Sequence, residues 1–388
     1  MKKIAFVMNE VDVGGVSTAL IECLSKFDYS KYQVTVWVNA GQGALQSELC
    51  PQVEIKKWGL VDSRQILISQ IKSLQITSVL KGVFYRLLTR ATLSLPELNT
   101  IYNMKCLPMI SDEYYDCIIC YQGISCVVLA NSLYRLLGKK KVLWIHGDHN
   151  RPKNLIHFFS KIYGMFDKIF CVSETTRDDF CRQFPAVQNK TQVFYNLIPV
   201  DEILEKSKAP IDVSLTNTAI VTVGRLSPEK GQQMIPQTTR LLLDAGYDVY
   251  WYLVGDGDLR ETVESEIQKY DVAEHVILLG TQMNPYPYIK NCDIYVQTSF
   301  SEGYCTTTME AKILRKPIVT TDAPGMREQF VSGENGLIVD AMTPEALFEG
   351  IRTLLDHPEL QAKFVENLSH EVCDNSGELQ KLYDFIES

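Results

Sequence analysis

Two glutamates, Glu302 and Glu310, are separated by seven residues in the stretch SFSEGYCTTTMEAKI. The residues before them, 292–299, predict a buried strand, and those after them predict a helix that ends just before Pro317. Free N–H groups at the start of such a helix attract anions. A phosphorylated sugar could place its phosphates on that backbone and its hydroxyls on the two glutamates. The alternative is a pair of solvated helix charges, which is common in proteins.

Two cations follow a second predicted strand, TAIVTV, in the stretch GRLSPEKG. Gly224 begins the turn, and Arg225 and Lys230 stand five residues apart within it. Positive charges held at a strand end suit a diphosphate whose leaving charge must be stabilised. The alternative is a loop with ordinary surface charges.

Other predicted strand ends carry residues that could face a ligand. Gly14 and Gly15 follow the first strand, and their missing side chains would let a ligand approach the backbone. A dinucleotide fingerprint would need a third glycine where Thr18 stands, so a nicotinamide cofactor is disfavoured. Gly255 in VGDG could line a nucleotide or merely turn the chain. His146 ends an apolar strand and is a candidate polar contact with substrate.

Short β-rich runs alternate with helical patterns, which predicts an α/β protein with doubly wound parallel sheets. The predicted strands include KIAFVM, YQVTVWV, DCIICY, KKVLWIH, KIFCVS and TQVFYN, then TAIVTVG, DVYWYLVG, VILLG, DIYVQT and PIVTT. We predict one Rossmann-like domain over 1–200 and a second over 201–370. The last segment, 371–388, predicts a helix able to cross back to the first domain. The carboxyl ends of both sets of strands would open on one cleft.

Composition excludes disordered and fibrous classes, because 46% of the 388 residues are hydrophobic and 22% are charged. The net charge of -9 is unevenly divided: residues 1–200 carry +7 and the remainder carries -16. The two halves face different partners, or the second half is acidic for solubility.

The 11 cysteines show no repeating metal-ligand pattern. Cys117 and Cys120 form a CxxC pair inside an apolar run that predicts a strand, where residues three apart point to opposite faces. We therefore expect buried strand thiols there and no zinc site. The apolar stretch after Lys3 is too short for a signal peptide, and no run of 18 apolar residues follows. These features predict a reduced, cytoplasmic protein.

The segment 55–108 is basic, with a net charge of +6, and its cations are interleaved with leucine, isoleucine, valine and phenylalanine. Basic amphipathic helices of this kind can lie on an anionic membrane surface. The alternative is a helical excursion that packs on its own domain and presents a solvated basic face.

The stretches GGV, GRLSPEKG, VGDG and SEGYCTTTMEA, in this order and over almost the whole chain, resemble the retaining glycosyltransferases of family 4. That resemblance implies the GT-B fold and transfer of a sugar from a nucleoside diphosphate donor, a UDP-sugar in the favoured case. The second domain would hold the donor, and the first would hold a glycan or lipid-linked glycan acceptor. Bacterial cell-surface polysaccharide or capsule biosynthesis is the implied setting.

The resemblance also assigns roles to residues. Arg225 and Lys230 would bind the donor diphosphate, Glu302 would meet the donor sugar and Glu310 the ribose. The backbone around Gly15 would close on the donor, and His146 would lie near the reacting sugar. Further donor contacts would come from Gly224, Gly255 and the N–H groups of Tyr304, Cys305, Thr306 and Thr307. In the family, a Phe-Gly-like pair is common where Tyr304, Cys305 and Thr306 stand in this chain. The difference leaves the backbone contacts in place, but it makes the identity of the donor sugar harder to infer.

The family generally needs neither a metal nor a cofactor, and no nucleic-acid partner is implied. The basic segment 55–108 would allow peripheral contact with the inner face of the cell membrane. Two alternatives remain: another enzyme of the same architecture, such as a nucleotide-sugar epimerase or a phosphorylase, and a non-catalytic scaffold subunit. Intact Arg225, Lys230, Glu302 and Glu310 argue against the scaffold.

Overall fold

The structure, a computed structural model, describes residues 1–39, 41, 43–59, 96–105, 107–147, 150–211, 213, 215 and 217–388. Most of the basic segment 55–108 lies outside these residues, including Arg64, Lys72, Lys81, Arg86 and Arg90. Both interpretations of that segment therefore stay predictions. None of the described helices is long and apolar enough to span a bilayer.

The described residues of the first half form a seven-stranded parallel sheet in the order β3-β2-β1-β4-β5-β6-β7. Its strands are β1 Lys2–Val7, β2 Tyr32–Val38, β3 Glu54–Lys57, β4 Tyr114–Cys120, β5 Leu137–Ile145, β6 Lys168–Cys171 and β7 Thr191–Val193. Both faces of the sheet are covered, so its central strands are continuous apolar runs rather than alternating ones. In β1, for example, Ile4 and Phe6 contribute to one hydrophobic cluster, and Ala5 and Val7 to another.

The second half repeats this arrangement with a six-stranded parallel sheet in the order β10-β9-β8-β11-β12-β13. Its strands are β8 Thr218–Val223, β9 Val249–Val254, β10 Val276–Gly280, β11 Ile294–Gln297, β12 Ile318–Thr321 and β13 Leu337–Val339. In both sheets the strand order reverses beside the first strand, between β1 and β4 and between β8 and β11. Ligands of such sheets bind in the crevice outside the carboxyl ends at this point. The predicted tandem doubly wound architecture is confirmed.

Helices cover both sheets. In the first half they are α1 Gly15–Ser25, α2 Pro96–Lys105, α3 Cys126–Ala130, α4 Ile156–Gly164 and α5 Glu174–Gln183. The later ones are α6 Val200–Lys206, α7 Ile235–Asp244, α8 Arg260–Lys269, α9 Tyr286–Asn291, α10 Thr306–Ile313, α11 Met326–Gln329, α12 Pro344–Asp356, α13 Pro358–Ser369 and α14 Leu379–Glu387. Helix α6 spans the predicted domain boundary at residue 200 and packs Ile203 on the second domain. That boundary stays a prediction.

The CxxC pair lies where the strand pattern predicted. Both thiols are fully buried in β4, Cys117 in the hydrophobic cluster on one face of the first sheet and Cys120 in the cluster on the other. Burial raises the pKa of the Cys120 thiol to about 12. The two sulfurs are therefore protonated packing groups on opposite faces of the sheet.

The C-terminal helix α14 crosses back to the first domain, as predicted. Leu382 and Ile386 are buried in the same hydrophobic cluster as strand β1. The Tyr383 ring stacks on Tyr32, with ring centroids 5.2 Å apart. The preceding helix α13 packs Phe364 on the second domain, so residues 370–378 carry the chain from one domain to the other. The two domains are thus joined at two places along the chain.

The docking of α14 can be tested at Tyr383, whose hydroxyl accepts a hydrogen bond from the Asp28 backbone N–H at 2.9 Å. We expect Tyr383→Phe to lower the free energy of unfolding by about 1 kcal/mol, the usual loss for such a bond. Tyr247→Phe is the matched control, because the Tyr247 hydroxyl donates to Asp356 on the exposed surface. Urea unfolding of both variants would measure the difference. Equal losses would contradict a stabilising role for this contact.

Candidate active site

A cleft of about 680 Å³ opens between the carboxyl edges of the two sheets. Its walls come chiefly from the turns that follow β1 and β5 in the first domain and β8, β9, β10 and β11 in the second. The predicted site residues that line it are Gly15, His146, Gly224, Arg225, Lys230, Gly255, Glu302, Tyr304, Thr306, Thr307 and Glu310. The side chain of Cys305 is buried outside the cleft, with its thiol 3.3 Å from the Thr307 hydroxyl. The proposed backbone role of Cys305 stays a prediction.

Lys230 and Glu302 form an ion pair in the wall of the cleft, with 2.6 Å between Nζ and Oε1. The same carboxylate oxygen accepts a hydrogen bond from the Ser299 hydroxyl at 2.5 Å, and Ser299 accepts one from Gln297. Burial opposes the charge on Lys230, but Glu302 outweighs it, so the pKa of Lys230 lies above its usual value. A charged ammonium has three N–H donors, so Lys230 can also bind a ligand oxygen.

Arg225 is exposed on the cleft side of the turn after β8. Within the described part of the chain it forms no ion pair. The turn itself depends on Gly255, which has φ +142, because a side chain there would lie 2.0 Å from the Gly224 carbonyl oxygen. The turns after β8 and β9 therefore pack closely together. The Arg225 guanidinium lines the cleft beside them, and no carboxylate of a described residue pairs with it.

Two helix N-termini meet across the cleft. A Cβ placed on Gly15, the first residue of α1, would lie 3.0 Å from the hydroxyl oxygen of Thr306, the first residue of α10. Neither helix has a side-chain cap, and neither has an acidic residue in its first turn. The first N–H groups of a helix have no partner within it, so these groups and the positive ends of both helix dipoles favour an anion between the two N-termini. Arg225 and Lys230 add two positive charges to the same cleft.

Glu310 lies one turn along α10 from Thr306 and Thr307, on the face that lines the cleft. It is only 7% exposed, and its Oε2 has no hydrogen-bond partner among the described residues. Burial raises the pKa of the Glu310 carboxyl to about 8. A buried carboxyl without a partner is costly unless a ligand supplies the missing hydrogen bonds.

His146 follows β5 and reaches the cleft from the first domain. Neither ring nitrogen forms a hydrogen bond to a described residue. The ring packs against that of Tyr121, with ring centroids 4.5 Å apart. Burial lowers the pKa of His146 to about 3. The imidazole is therefore neutral at pH 7 and can donate one hydrogen bond and accept another.

Gly303 brings the two domains into backbone contact and was not among the predicted site residues. A Cβ at Gly303 would lie 1.9 Å from the His146 carbonyl oxygen and 2.7 Å from the Gly147 Cα. The Gly303 carbonyl accepts hydrogen bonds from the hydroxyls of Ser173 at 2.7 Å and Thr176 at 3.2 Å. The glycine thus brings the residue directly after Glu302 against the backbone of His146 and Gly147. Its position directly after Glu302 was the available signal.

The loop after β10 also lines the cleft and was missed. It contributes Thr281, Gln282 and Met283, followed by Pro285 and Tyr286 at the start of α9. Met283 is 62% exposed, although it is a large apolar residue. An apolar and aromatic end of a polar cleft suits a flat ring. The signal was weak, because this loop lacks the glycines and charges that marked the turns after β8 and β9.

A second cavity of about 330 Å³ adjoins the cleft. The two cavities share three residues, Gly147, Ser301 and Glu302. The remaining lining is polar and comes chiefly from the first domain: Asn150, Thr175, Thr176, Asp179, Arg182 and Gln183, with Pro324 from the second. A group bound in this cavity would approach Glu302 from the side of the first domain.

Two family models match the two halves of the chain. The model described as Glycosyltransferase Family 4 matches residues 13–202, and the model described as Glycosyl transferases group 1 matches residues 205–370. The two matches adjoin, and together they include all the residues that line the cleft.

Curated relatives match part of the chain. An N-acetylgalactosamine-N,N'-diacetylbacillosaminyl-diphospho-undecaprenol 4-alpha-N-acetylgalactosaminyltransferase from Campylobacter jejuni is 28% identical over 218 residues, 55% of this chain and 58% of the relative. The capsular polysaccharide biosynthesis glycosyltransferase CapM of Staphylococcus aureus is 26% identical over 173 residues, 44% of this chain and 45% of the relative. The matches therefore span about half the length of these relatives.

Solved structures match the whole chain in fold. HepE from Anabaena, in complex with UDP and glucose, has a TM-score of 0.73 and 19% identity, with 100% of both chains covered. A variant of S. aureus TarM, in complex with fondaparinux, alpha-GlcNAc-glycerol and UDP, has a TM-score of 0.72 and 14% identity over 100% of both chains. With the two family models and the two parallel sheets, these matches show that the chain belongs to the GT-B glycosyltransferases of the family 4 type.

Proposed function

We propose that this chain is a retaining hexosyltransferase that moves a sugar from a UDP-sugar to a hydroxyl of a glycan or lipid-linked glycan. One observation carries the proposal: the carboxyl of Glu310, whose Oε2 has no partner among the described residues, lies one helical turn from two opposed helix N-termini flanked by Arg225 and Lys230. Four residues of helix span about 6 Å. This spacing suits a nucleotide whose ribose hydroxyls meet Glu310 while its diphosphate lies at the N-termini.

The proposed reaction concentrates negative charge on the leaving group. The bond between the sugar's anomeric carbon and the diphosphate oxygen breaks, and the acceptor oxygen bonds to the same carbon. The acceptor's proton passes to the leaving diphosphate, so no oxidant or reductant is needed. Arg225, Lys230 and the two helix N-termini stabilise the charge that develops on the diphosphate. We propose that these groups do this without a metal ion.

The donor sugar would lie between Glu302 and His146. The Glu302 carboxylate can accept hydrogen bonds from sugar hydroxyls, and the neutral His146 ring can donate or accept one. The acceptor would enter through the second cavity, because that cavity meets the cleft only at Gly147, Ser301 and Glu302 among its described lining residues. Its amide, hydroxyl and carboxylate side chains match the hydroxyl groups of a saccharide.

The choice of UDP and of the setting draws on similar proteins. HepE and TarM were both solved with UDP. The Campylobacter relative is named for a diphospho-undecaprenol substrate and CapM for capsular polysaccharide. We therefore propose a role in cell-surface polysaccharide biosynthesis on the cytoplasmic face of the membrane. Flotation with anionic liposomes tests the membrane contact, and failure to float at low salt would refute it.

Nucleotide binding and turnover test the proposal directly. In calorimetric titrations we expect UDP to bind at least about tenfold more tightly than GDP or ADP, a difference of about 1.4 kcal/mol. With a panel of UDP-sugars, nucleotide release should depend on added glycan acceptor. Conversion of donor or glycan without a second acceptor would favour an epimerase or a phosphorylase. Absence of nucleotide binding would favour a scaffold subunit.

A further inference from the structure

A carboxylate of the second domain caps a helix of the first. Glu328, on α11, accepts hydrogen bonds from the backbone N–H groups of Glu174 at 2.8 Å and Thr175 at 2.7 Å. It also accepts one from the Thr175 hydroxyl at 2.5 Å and one from the Tyr195 hydroxyl at 3.3 Å. Glu174 and Thr175 are the first two residues of α5, a helix of ten residues. The four bonds all cross from one domain to the other.

These contacts are favourable because of where they are made. The first N–H groups of a helix have no partner within the helix and carry the positive end of its dipole. Hydrogen bonds to a carboxylate are stronger than bonds between neutral groups. The third N–H of α5, from Thr176, is satisfied within the first domain by the Ser173 hydroxyl at 3.0 Å. The first two are left for the second domain, and Glu328 takes both.

The same end of α5 is attached to the candidate active site. The Ser173 and Thr176 hydroxyls lie within hydrogen-bonding distance of the Gly303 carbonyl, directly after Glu302. The Tyr195 ring packs against Tyr304, with ring centroids 5.5 Å apart. Bonds at one helix end therefore fix both the distance between the domains and the loop that carries Glu302. Neither Glu328 nor Thr175 lines the donor cleft.

We propose that Glu328 is an interdomain clamp: it holds the cleft closed by binding the N-terminus of α5, and it positions Glu302 against His146 without touching the donor. Closure and donor binding then favour each other, because both require the arrangement in which Gly303 contacts the first domain. Such coupling is reciprocal, so losing the clamp weakens donor binding. This second statement rests on the proposed function, whereas the clamp itself does not.

Hydrogen exchange tests the clamp without any ligand. In Glu328→Gln we expect the two amides of Glu174 and Thr175 to exchange at least about tenfold faster, because a neutral amide holds them less strongly than a carboxylate. Glu345→Gln is the matched control, since Glu345 stands in the first turn of α12 within the second domain. Equal exchange of both amides in the wild type and Glu328→Gln would overturn the clamp.

Nucleotide affinity tests the coupling. We expect Glu328→Gln to raise the Kd for UDP about tenfold and Glu345→Gln to leave it unchanged. Thr175→Val removes the hydroxyl bond to the same carboxylate, so its effect should shrink when Glu328 is already glutamine. Additive effects would overturn the shared clamp. If UDP does not bind the wild type, the proposed function fails, while the exchange measurement still decides the clamp.

Discussion

Replacing Lys230 with alanine is expected to lower kcat/KM for the donor by about a hundredfold to a thousandfold. This is the usual loss when one preorganised group that stabilises developing negative charge is removed. The ammonium lies in the cleft, and Glu302 at 2.6 Å holds its pKa above the usual value, so the charge is present at neutral pH. Steady-state turnover of a UDP-sugar would measure the loss.

The variant also leaves Glu302 without its ion-pair partner. A carboxylate that has lost its cation repels the diphosphate, which adds to the loss of attraction. Lys230→Arg keeps the charge and should retain more activity than Lys230→Ala, although the planar guanidinium cannot reproduce the position of the ammonium. A loss in kcat rather than in UDP affinity alone would assign Lys230 to the leaving group.

Lys363→Ala is the matched control for Lys230→Ala. Lys363 also pairs with a glutamate, Glu334, at 2.9 Å, but on the outer surface of the second domain. Exposed ion pairs contribute little to stability, so this variant should keep its activity and its thermal midpoint. Turnover of Lys230→Ala equal to that of the wild type would refute the role assigned to Lys230.

The fold was predictable because buried parallel strands are continuous apolar runs in the sequence. β1 and β4 illustrate this, since residues 4–7 and 117–120 are wholly buried. The turns after β8 and β9 could be predicted as part of the site for a related reason. Gly224, Arg225 and Gly255 directly follow such runs, and strand ends in a doubly wound sheet meet at one edge. Local pattern and topology together were enough to locate this part of the site.

Contacts that depend on the placement of one domain against the other were not predictable. Glu328 binds α5 across 153 and 154 positions of sequence, and nothing near Glu328 distinguishes it from a solvated helix charge. The contact of Gly303 with His146 likewise depends on how closely the two sheets approach each other.

Glu310 was predicted as a ribose ligand, and the structure adds a reason to expect that nucleotide binding changes the protonation of its carboxyl. Its carboxyl is buried, Oε2 has no partner among the described residues, and burial raises its pKa to about 8. In the free protein at pH 7 it is therefore mostly protonated. Ribose hydroxyls that donate to both oxygens favour the ionised form. UDP binding at pH 7 should then release about one proton, as linkage requires.

Glu310→Gln should abolish that proton release and weaken UDP binding by about 10- to 100-fold, since hydrogen bonds to a charged acceptor are stronger than bonds to an amide. Calorimetric titrations in buffers of different ionisation enthalpy measure both quantities at once. Glu345 is an exposed carboxylate at the start of a helix, so Glu345→Gln should change neither the proton release nor the affinity for UDP. Proton release that persists in Glu310→Gln would show that another group titrates on binding.

The same substitution should raise the free energy of unfolding of the free protein, because the folded wild type keeps a proton on Glu310 that the unfolded chain loses. The folded protein keeps the Glu310 proton up to about pH 8, whereas the unfolded chain loses it near the ordinary pKa of 4.5. Between these values the folded state binds more protons, so the wild type loses about 1.4 kcal/mol of stability for each pH unit. Glu310→Gln lacks this loss. In urea unfolding, the difference in free energy of unfolding between Glu310→Gln and the wild type should therefore grow from pH 5 to pH 8 and stay constant above pH 8. A constant difference would mean that the buried carboxyl is ionised throughout, so that donor binding would release no proton from it.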